Sequence, residues 1–284
     1  MNNIAAAIIE DLQKLAQDQK IVKLEDLKQS EHLLEKMAED REDQELQTLL
    51  KELDPSFILY MNMIECLMII STIIRKHPTL EDFNNRVAAA EKSFCPGTWD
   101  STVTESFFNM WVLFDVKIQG DLTLAGLCLQ VAKEISSVKK NLYALIEKGL
   151  SSRVGIYNVH DRDDDMIYFK ELITGKQINA ICPTGYMGQP GETWLVRLFP
   201  PLDGESFIIV TTPYCICNTD SEDWDRYFEE KGIRPDMNNL EKEVDRFFRK
   251  SAETPYWLSY IRSTPPTLET EECIHISGIP KATY

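Results

Sequence analysis

The stretch from Val154 to Cys217 constrains this chain most. It breaks into short runs of Ile, Val, Tyr, Phe and Leu with turn residues between them, and six of the twelve glycines fall between Gly155 and Gly204. Runs of this length punctuated by glycine read as strands, because glycine supplies the positive-φ turns that reverse a short strand. Ile156–Val159 and Met166–Phe169 flank the turn His160–Asp165 as a hairpin. Gln177–Cys182 follows the Thr174-Gly175 reversal, and Thr193–Phe199 follows a loop holding Gly185, Gly188 and Pro190-Gly191. Ser206–Thr212 follows the Asp203-Gly204 turn. Such a series predicts a small antiparallel curved sheet or partly open barrel, since closure removes exposed edges.

On either side the period becomes helical. Ile4, Ile8, Leu12 and Leu15 share one face, and a second amphipathic stretch runs from Leu24 to Leu53 around the charged, solvated run Glu39–Glu45. Phe57–Lys76 is almost uniformly apolar and lies between Asp54-Pro55 and Pro78. Thr79 reads as the N-cap of a helix reaching Lys92, and Cys95-Pro96-Gly97 as a turn. Asp100 or Ser101 caps a helix with Phe107, Trp111 and Phe114. After the Gly120-Asp121 turn come Leu122–Ile135 and Ser137–Lys148, with Gly149 as a left-handed C-terminal cap. Beyond the strands, Asp220-Ser221-Glu222 caps a helix with Trp224, Tyr227 and Phe228, and Asn238 starts another with Leu240, Val244, Phe247 and Phe248. Pro255–Ile261 reads as a short aromatic helix and Cys273–Ser277 as an edge strand. The expected class is α+β. Residues 1–152 form a helical domain, 153–217 a small β-barrel-like module, and 218–284 a C-terminal helical segment packed on that module.

The junction of the first two regions carries Phe107, Trp111, Phe114-Asp115, Gly120 and Leu122-Thr123-Leu124. The β stretch carries Gly155-Ile156-Tyr157-Asn158-Val159, Phe169-Lys170-Glu171-Leu172-Ile173-Thr174-Gly175 and Arg197-Leu198-Phe199-Pro200. Over roughly residues 105–215 this resembles uncharacterised bacterial proteins in which a helical region leads into a small β module. The resemblance implies that architecture and brings no activity or catalytic residue. Some of those proteins end in a cysteine-rich zinc-binding tail, a cluster this chain lacks.

The net charge of −16 bears on partners. Residues 1–152 carry 16 basic and 24 acidic groups, 153–217 carry 5 and 8, and 218–284 carry 9 and 14. No segment holds a basic reserve, which argues against nucleic acid and anionic membrane as partners. Asn62 and Glu65 interrupt the apolar run Phe57–Ile74, and a carboxylate inside a bilayer is costly, so that run reads as a helix buried at the centre of the helical core. The seven cysteines are odd in number and scattered, and the N-terminus lacks a basic, then apolar, leader. Both features suit a reducing cytoplasm.

Candidate chemistry is sparse. Cys215-x-Cys217 and Cys273-x-His275 each place two donors on one face of a strand, so zinc is the cofactor to consider, with Cys182 as a further thiol. The two pairs lie far apart in sequence, and the plain reading is ordinary strands with no cofactor. Four carboxylates crowd His160–Asp165 without the ligand pattern of a calcium loop, and read as a solvated hairpin tip. Gly185-Tyr-Met-Gly188-Gln-Pro-Gly191 precedes a strand rather than a helix, and so offers no helix N-terminus to phosphate. Tyr157, Tyr168, Phe169, Tyr186 and Trp194 read as core and cross-strand pairs, or as a stacking platform for a single strand. The function expected is a non-catalytic cytoplasmic interaction or adaptor protein with an unidentified protein partner. The alternatives are a small-barrel protein that binds single-stranded nucleic acid and a metal-dependent enzyme.

Overall fold

The computed structural model describes residues 3–18, 54–94, 102–134, 140–163, 165–183, 185–202, 204, 206–250, 268–269 and 273–279. The expected helix 24–53, the Cys95–Gly97 turn, the Asp100 or Ser101 cap and the Pro255–Ile261 helix lie outside the described residues. The N-terminal region is helical: α1 (Asn3–Asp18), α2 (Pro55–Ile74), a 3-10 turn (Pro78–Leu80), α3 (Glu81–Phe94) and α4 (Thr102–Phe114). A two-stranded hairpin absent from the sequence reading, β1 (Lys117–Gln119) with β2 (Leu122–Thr123), then leads to α5 (Leu124–Glu134) and α6 (Lys140–Gly149). The strands β3 (Arg153–Arg162), β4 (Ile167–Glu171), β5 (Gln177–Ile181), β6 (Thr193–Phe199), β7 (Phe207–Ile209) and β8 (Tyr214–Cys217) follow. Helices α7 (Ser221–Glu230) and α8 (Leu240–Lys250) precede β9 (Leu268–Glu269) and β10 (Ile274–Ser277). The class is α+β.

The sheet closes into a five-stranded barrel, where the sequence led to a curved sheet or partly open barrel. Strands β3, β4, β5, β7 and β6 form a ring because β3 pairs with β6 as well as β4. One pairing, β5 with β7, is parallel; the others in the ring are antiparallel. The free edge of β6 is shared. Its C-terminal half bonds β7, and its N-terminal half bonds β8, which continues in parallel to β10. The sheet therefore takes a strand from beyond residue 217, and α8 packs on β3.

Every residue of β6 is buried. Trp194, Val196 and Leu198 point into the barrel with Val159, Ile167, Phe169 and Ile209. Leu195 and Phe199 point outward into a core shared with Tyr60, Phe107, Phe114 and Leu127 of the helices. Edge contacts of Phe199 with Phe114 at 5.4 Å and of Phe107 with Tyr214 at 5.5 Å close that layer. Tyr60 also donates its hydroxyl to the Pro200 carbonyl at 2.6 Å, and Lys148 reaches the Pro201 carbonyl at 2.8 Å.

Arg197 is the one charged residue in that outward row, and it is 1% exposed. It forms an ion pair with Asp115, the residue after α4, and donates to the Ser152 carbonyl at 3.2 Å. Arg249 of α8 reaches the other Asp115 oxygen at 3.5 Å, Asp245 at 2.9 Å and the Ser152 carbonyl at 2.9 Å. Two cations and two carboxylates thus balance where α4, α6, β6 and α8 meet. A second buried carboxylate, Glu171, pairs with Arg153 and accepts from the Thr174 hydroxyl at 2.5 Å, which closes the β4–β5 turn.

Three expectations change at the helix ends and faces. The N-cap before α3 is His77, whose Nδ1 accepts from Thr79 N at 3.3 Å, so Thr79 lies inside the 3-10 turn. Gly149 is not among the positive-φ glycines. It is needed for close approach instead: a Cβ there would sit 3.2 Å from Met63 Cε and 3.4 Å from Phe199 Cε1. Helix α2 is not buried all round. Tyr60, Met63, Ile64, Leu67, Ser71 and Ile74 are buried on one arc, while the opposite arc is exposed and still apolar. It is the one helix among the described residues that is long and apolar enough to cross a membrane by length and composition.

Removing one member of the buried pair should be costly, because it leaves an unpaired charge away from water. Asp115→Asn or Arg197→Met is expected to lower unfolding stability by about 3–5 kcal/mol. The double variant Asp115→Leu/Arg197→Met should recover much of that loss in urea denaturation. A single variant as stable as the parent would contradict the role given to the pair.

Candidate functional site

The parallel pairing of β8 with β10 sets His275 opposite Cys215 and Ser277 opposite Cys217. Strand alternation sends Tyr214, Ile216, Ile274 and Ile276 into the helix-side core, and Cys215 and Cys273 to the barrel side. Two segments far apart in sequence therefore place their donors together. The ligand atoms of Cys215, Cys273 and His275 all lie within 4.8 Å of one another. Cys217 stands beside this group rather than in it, with its Sγ 3.6 Å from His275 Nδ1. Cys182 is buried in the barrel interior and is not part of the group.

Two further residues complete the setting: Glu192, which sequence reasoning passed over, and Tyr186, which it read only as a core or stacking ring. Glu192 Oε2 lies 3.2 Å from Cys215 Sγ and accepts the Trp194 indole N–H at 2.9 Å. The Tyr186 hydroxyl donates to the same carboxylate at 3.0 Å and lies 3.8 Å from Cys215 Sγ and 3.5 Å from His275 Nε2. The Tyr186 ring stacks on Trp194 at 5.2 Å. Both residues belong to the glycine-rich loop, which folds over the barrel mouth. Gly188 has φ +66°, and a Cβ there would meet the Trp194 ring. Val159 N–H donates to the Glu192 carbonyl at 2.8 Å, and Gly191 N–H to the Val159 carbonyl at 2.7 Å, which pins the loop to β3. The available signal was Glu192-x-Trp194, two residues that share a face at strand spacing.

Two of the thiols, Cys215 and Cys217, are pushed toward the S–H form. The hydrogen bond with Cys273, then burial, then the charge of Glu192 push the Cys215 thiol far above its ordinary value. Burial and Glu192 push Cys217 up too, and burial followed by Cys215 and Glu192 does the same to Tyr186. Raised values favour the S–H form of Cys215 and Cys217, the less nucleophilic one. The site gathers sulfur, nitrogen and oxygen donors.

Other candidates separate clearly. The acidic turn is exposed, and Asp163 accepts from Met166 N at 2.9 Å and from the Tyr168 hydroxyl at 2.8 Å, so its carboxylate shapes the turn. Tyr157, Phe169 and Trp194 are 2%, 1% and 0% exposed and fill the barrel, while Tyr168 and Tyr186 are half-buried. A shallow groove of about 890 Å³ between the β1–β2 hairpin and α8 is lined by Arg86, Lys117, Lys242, Arg246 and Arg249. Four of its cations already face protein oxygens: Lys117 and Asp245 are engaged by Arg86 and Arg249, Glu243 by Arg246, and Asp121 by Lys117. On α2 the exposed arc carries Leu59, Met61, Met68, Ile69 and Ile73, with Ile69 58% exposed, around Asn62, Glu65 and Thr72.

Iodoacetamide at pH 8 should leave Cys215 unmodified in the folded protein and label it once urea unfolds the chain. Mass spectrometry after timed labelling reads this directly, and prompt labelling of native Cys215 would contradict a buried, protonated thiol. In comparison with known proteins, no family model matches this chain, and neither does a curated protein or a solved structure.

Proposed function

We propose that this is a non-catalytic interaction protein of a reducing, cytoplasmic compartment, and that it docks a protein partner along α2. The exposed apolar arc of that helix supports the reading. Five large apolar side chains lie in solvent on a helix whose other face is firmly packed. At 1.5 Å per residue the helix offers a strip about 30 Å long. Contiguous exposed apolar surface of this kind marks sites where another surface is covered.

The chemistry of the strip favours one occupant. Glu65 lies in the middle of the exposed arc and halfway along the helix, with Asn62 one turn before it. A second copy packed antiparallel over the full length would bring two Glu65 carboxylates together in an apolar contact, which is costly. An anionic membrane would meet a chain of net charge −16. An amphipathic helix of another protein, with Leu or Met at helical spacing and one Lys or Arg opposite Glu65, satisfies both constraints.

Ile69→Glu/Ile73→Glu tests this, since both positions are exposed and the variant should melt like the parent. Capture from native lysate with parent and variant identifies proteins lost on substitution, and a reconstituted complex should weaken at least tenfold, about 1.4 kcal/mol. Glu65→Lys should weaken it more than Glu65→Gln. The reading fails if the complex is indifferent to these changes, if no partner is retained by the parent, or if the parent is a dimer or floats with liposomes and the variant does neither.

A further inference from the structure

The barrel mouth holds a combination that burial alone does not explain. Two thiols and an imidazole from two segments gather with their ligand atoms within 4.8 Å of one another, a carboxylate from a third lies 3.2 Å from Cys215 Sγ, and two of these four donors, Glu192 and His275, are held from behind. Trp194 N–H and the Tyr186 hydroxyl fix the Glu192 carboxylate at 2.9 and 3.0 Å, and the Cys217 thiol lies against His275 Nδ1 at 3.6 Å. Such outer contacts are what orient metal ligands. They sit on paired strands and a pinned loop, so the backbone carrying the donors is set.

The spacing fits a tetrahedral ion. With metal–sulfur distances of about 2.3 Å and metal–nitrogen or metal–oxygen distances of about 2.0 Å, neighbouring donors lie roughly 3.3–3.8 Å apart. Cys215 Sγ and Glu192 Oε2 are already 3.2 Å apart. The spread of 4.8 Å across Cys215, Cys273 and His275 needs only a contraction of about 1 Å, within reach of side-chain rotation. Two sulfurs and an imidazole select zinc over magnesium or calcium, which take oxygen donors. The Tyr186 hydroxyl, within 3.8 Å of three of the four donors, closes the loop side against water.

We propose that Cys215, Cys273, His275 and Glu192 hold one zinc ion that clips β10 and the glycine-rich loop to the barrel. Two S–H bonds give way to two Zn–S bonds, and the two protons pass to solvent; nothing is oxidised or reduced. All four positions are filled by protein, so the ion is structural rather than catalytic. Its binding energy becomes folding energy for the strand it holds. The proposal is independent of the α2 interface.

The full chain, expressed with zinc and gel-filtered under reducing conditions, should carry about one zinc per chain by elemental analysis. Chelator should lower its melting temperature. Cobalt(II) exchanged into the protein should show the intense visible absorption of a tetrahedral thiolate site, a readout that needs no variant. Cys215→Ser/Cys273→Ser should retain less than roughly a tenth of the metal, and Cys66→Ser, on α2, should retain all of it. Should the cysteine double variant not fold, Glu192→Gln and His275→Gln serve in its place, with weaker zinc retention against a chelator series expected for both. The assignment is overturned by a metal-free parent with no cobalt spectrum, by full metal retention in the cysteine or Glu192 and His275 variants, or by a Cys215–Cys273 disulfide in protein isolated without oxidant.

Discussion

A carboxylate at the end of one helix and a guanidinium in the middle of one strand meet where water is excluded, and the arrangement of the molecule follows from that meeting. Asp115 and Arg197 are 4% and 1% exposed, so neither can turn to solvent if the other is displaced. The pair adds little net stability over an apolar contact of the same shape, but it is unforgiving of misplacement. That makes it a register device. It sets α4 against β6, and Arg249 carries the same constraint to α8 through Asp115 and the carbonyls of Leu150 and Ser152. The Phe114 ring, 5.7 Å from the Arg197 guanidinium, adds a cation–π contact on the apolar side.

Strand β6 shows how the two layers are built from one segment. Its inward row fills the barrel and its outward row fills the space beneath the helices, so closing the ring and covering it are one event. Ring closure uses most of the hydrogen-bonding edges. What remains is the N-terminal half of β6, which takes β8 and through it β10. The polar donors collect at that seam because the alternation that sends Ile216 and Ile274 to the helix-side core sends Cys215 and His275 to the other face. The thiol–imidazole cluster and the apolar α2 strip lie on separate elements.

Local chemistry made much of this legible. Thr193–Phe199 was delimited to the residue because a strand buried on both faces is a continuous apolar run between turns, and α7 was announced by Asp220, whose carboxylate accepts from Asp223 N at 2.9 Å. The β1–β2 hairpin was missed because its strands are too short to show a period. The long-range pairings left no local trace. Nothing in Cys215-x-Cys217 points to Cys273-x-His275, and only the parallel β8–β10 ladder joins them. Asp115, Arg197 and Glu171 stand in the sequence at wide separations, and composition gave no reason to pair them. The uniform apolarity of Phe57–Ile74 hid which arc is packed, because a helix apolar all round carries no directional signal. Gly149 looked like a cap because glycine after a helical run usually is one; Met63 and Phe199 show that it makes room instead.

The account stands on the helical layer and the barrel being one cooperative body joined through the buried pair. Native-state hydrogen exchange measures this most directly. Amides of α4 from Trp111 to Phe114 and of β6 from Leu195 to Leu198 should exchange through the same global opening, with one free energy and one urea dependence. If the α4 amides exchange through a smaller opening while the β6 amides stay protected, the two layers unfold separately and the account is wrong.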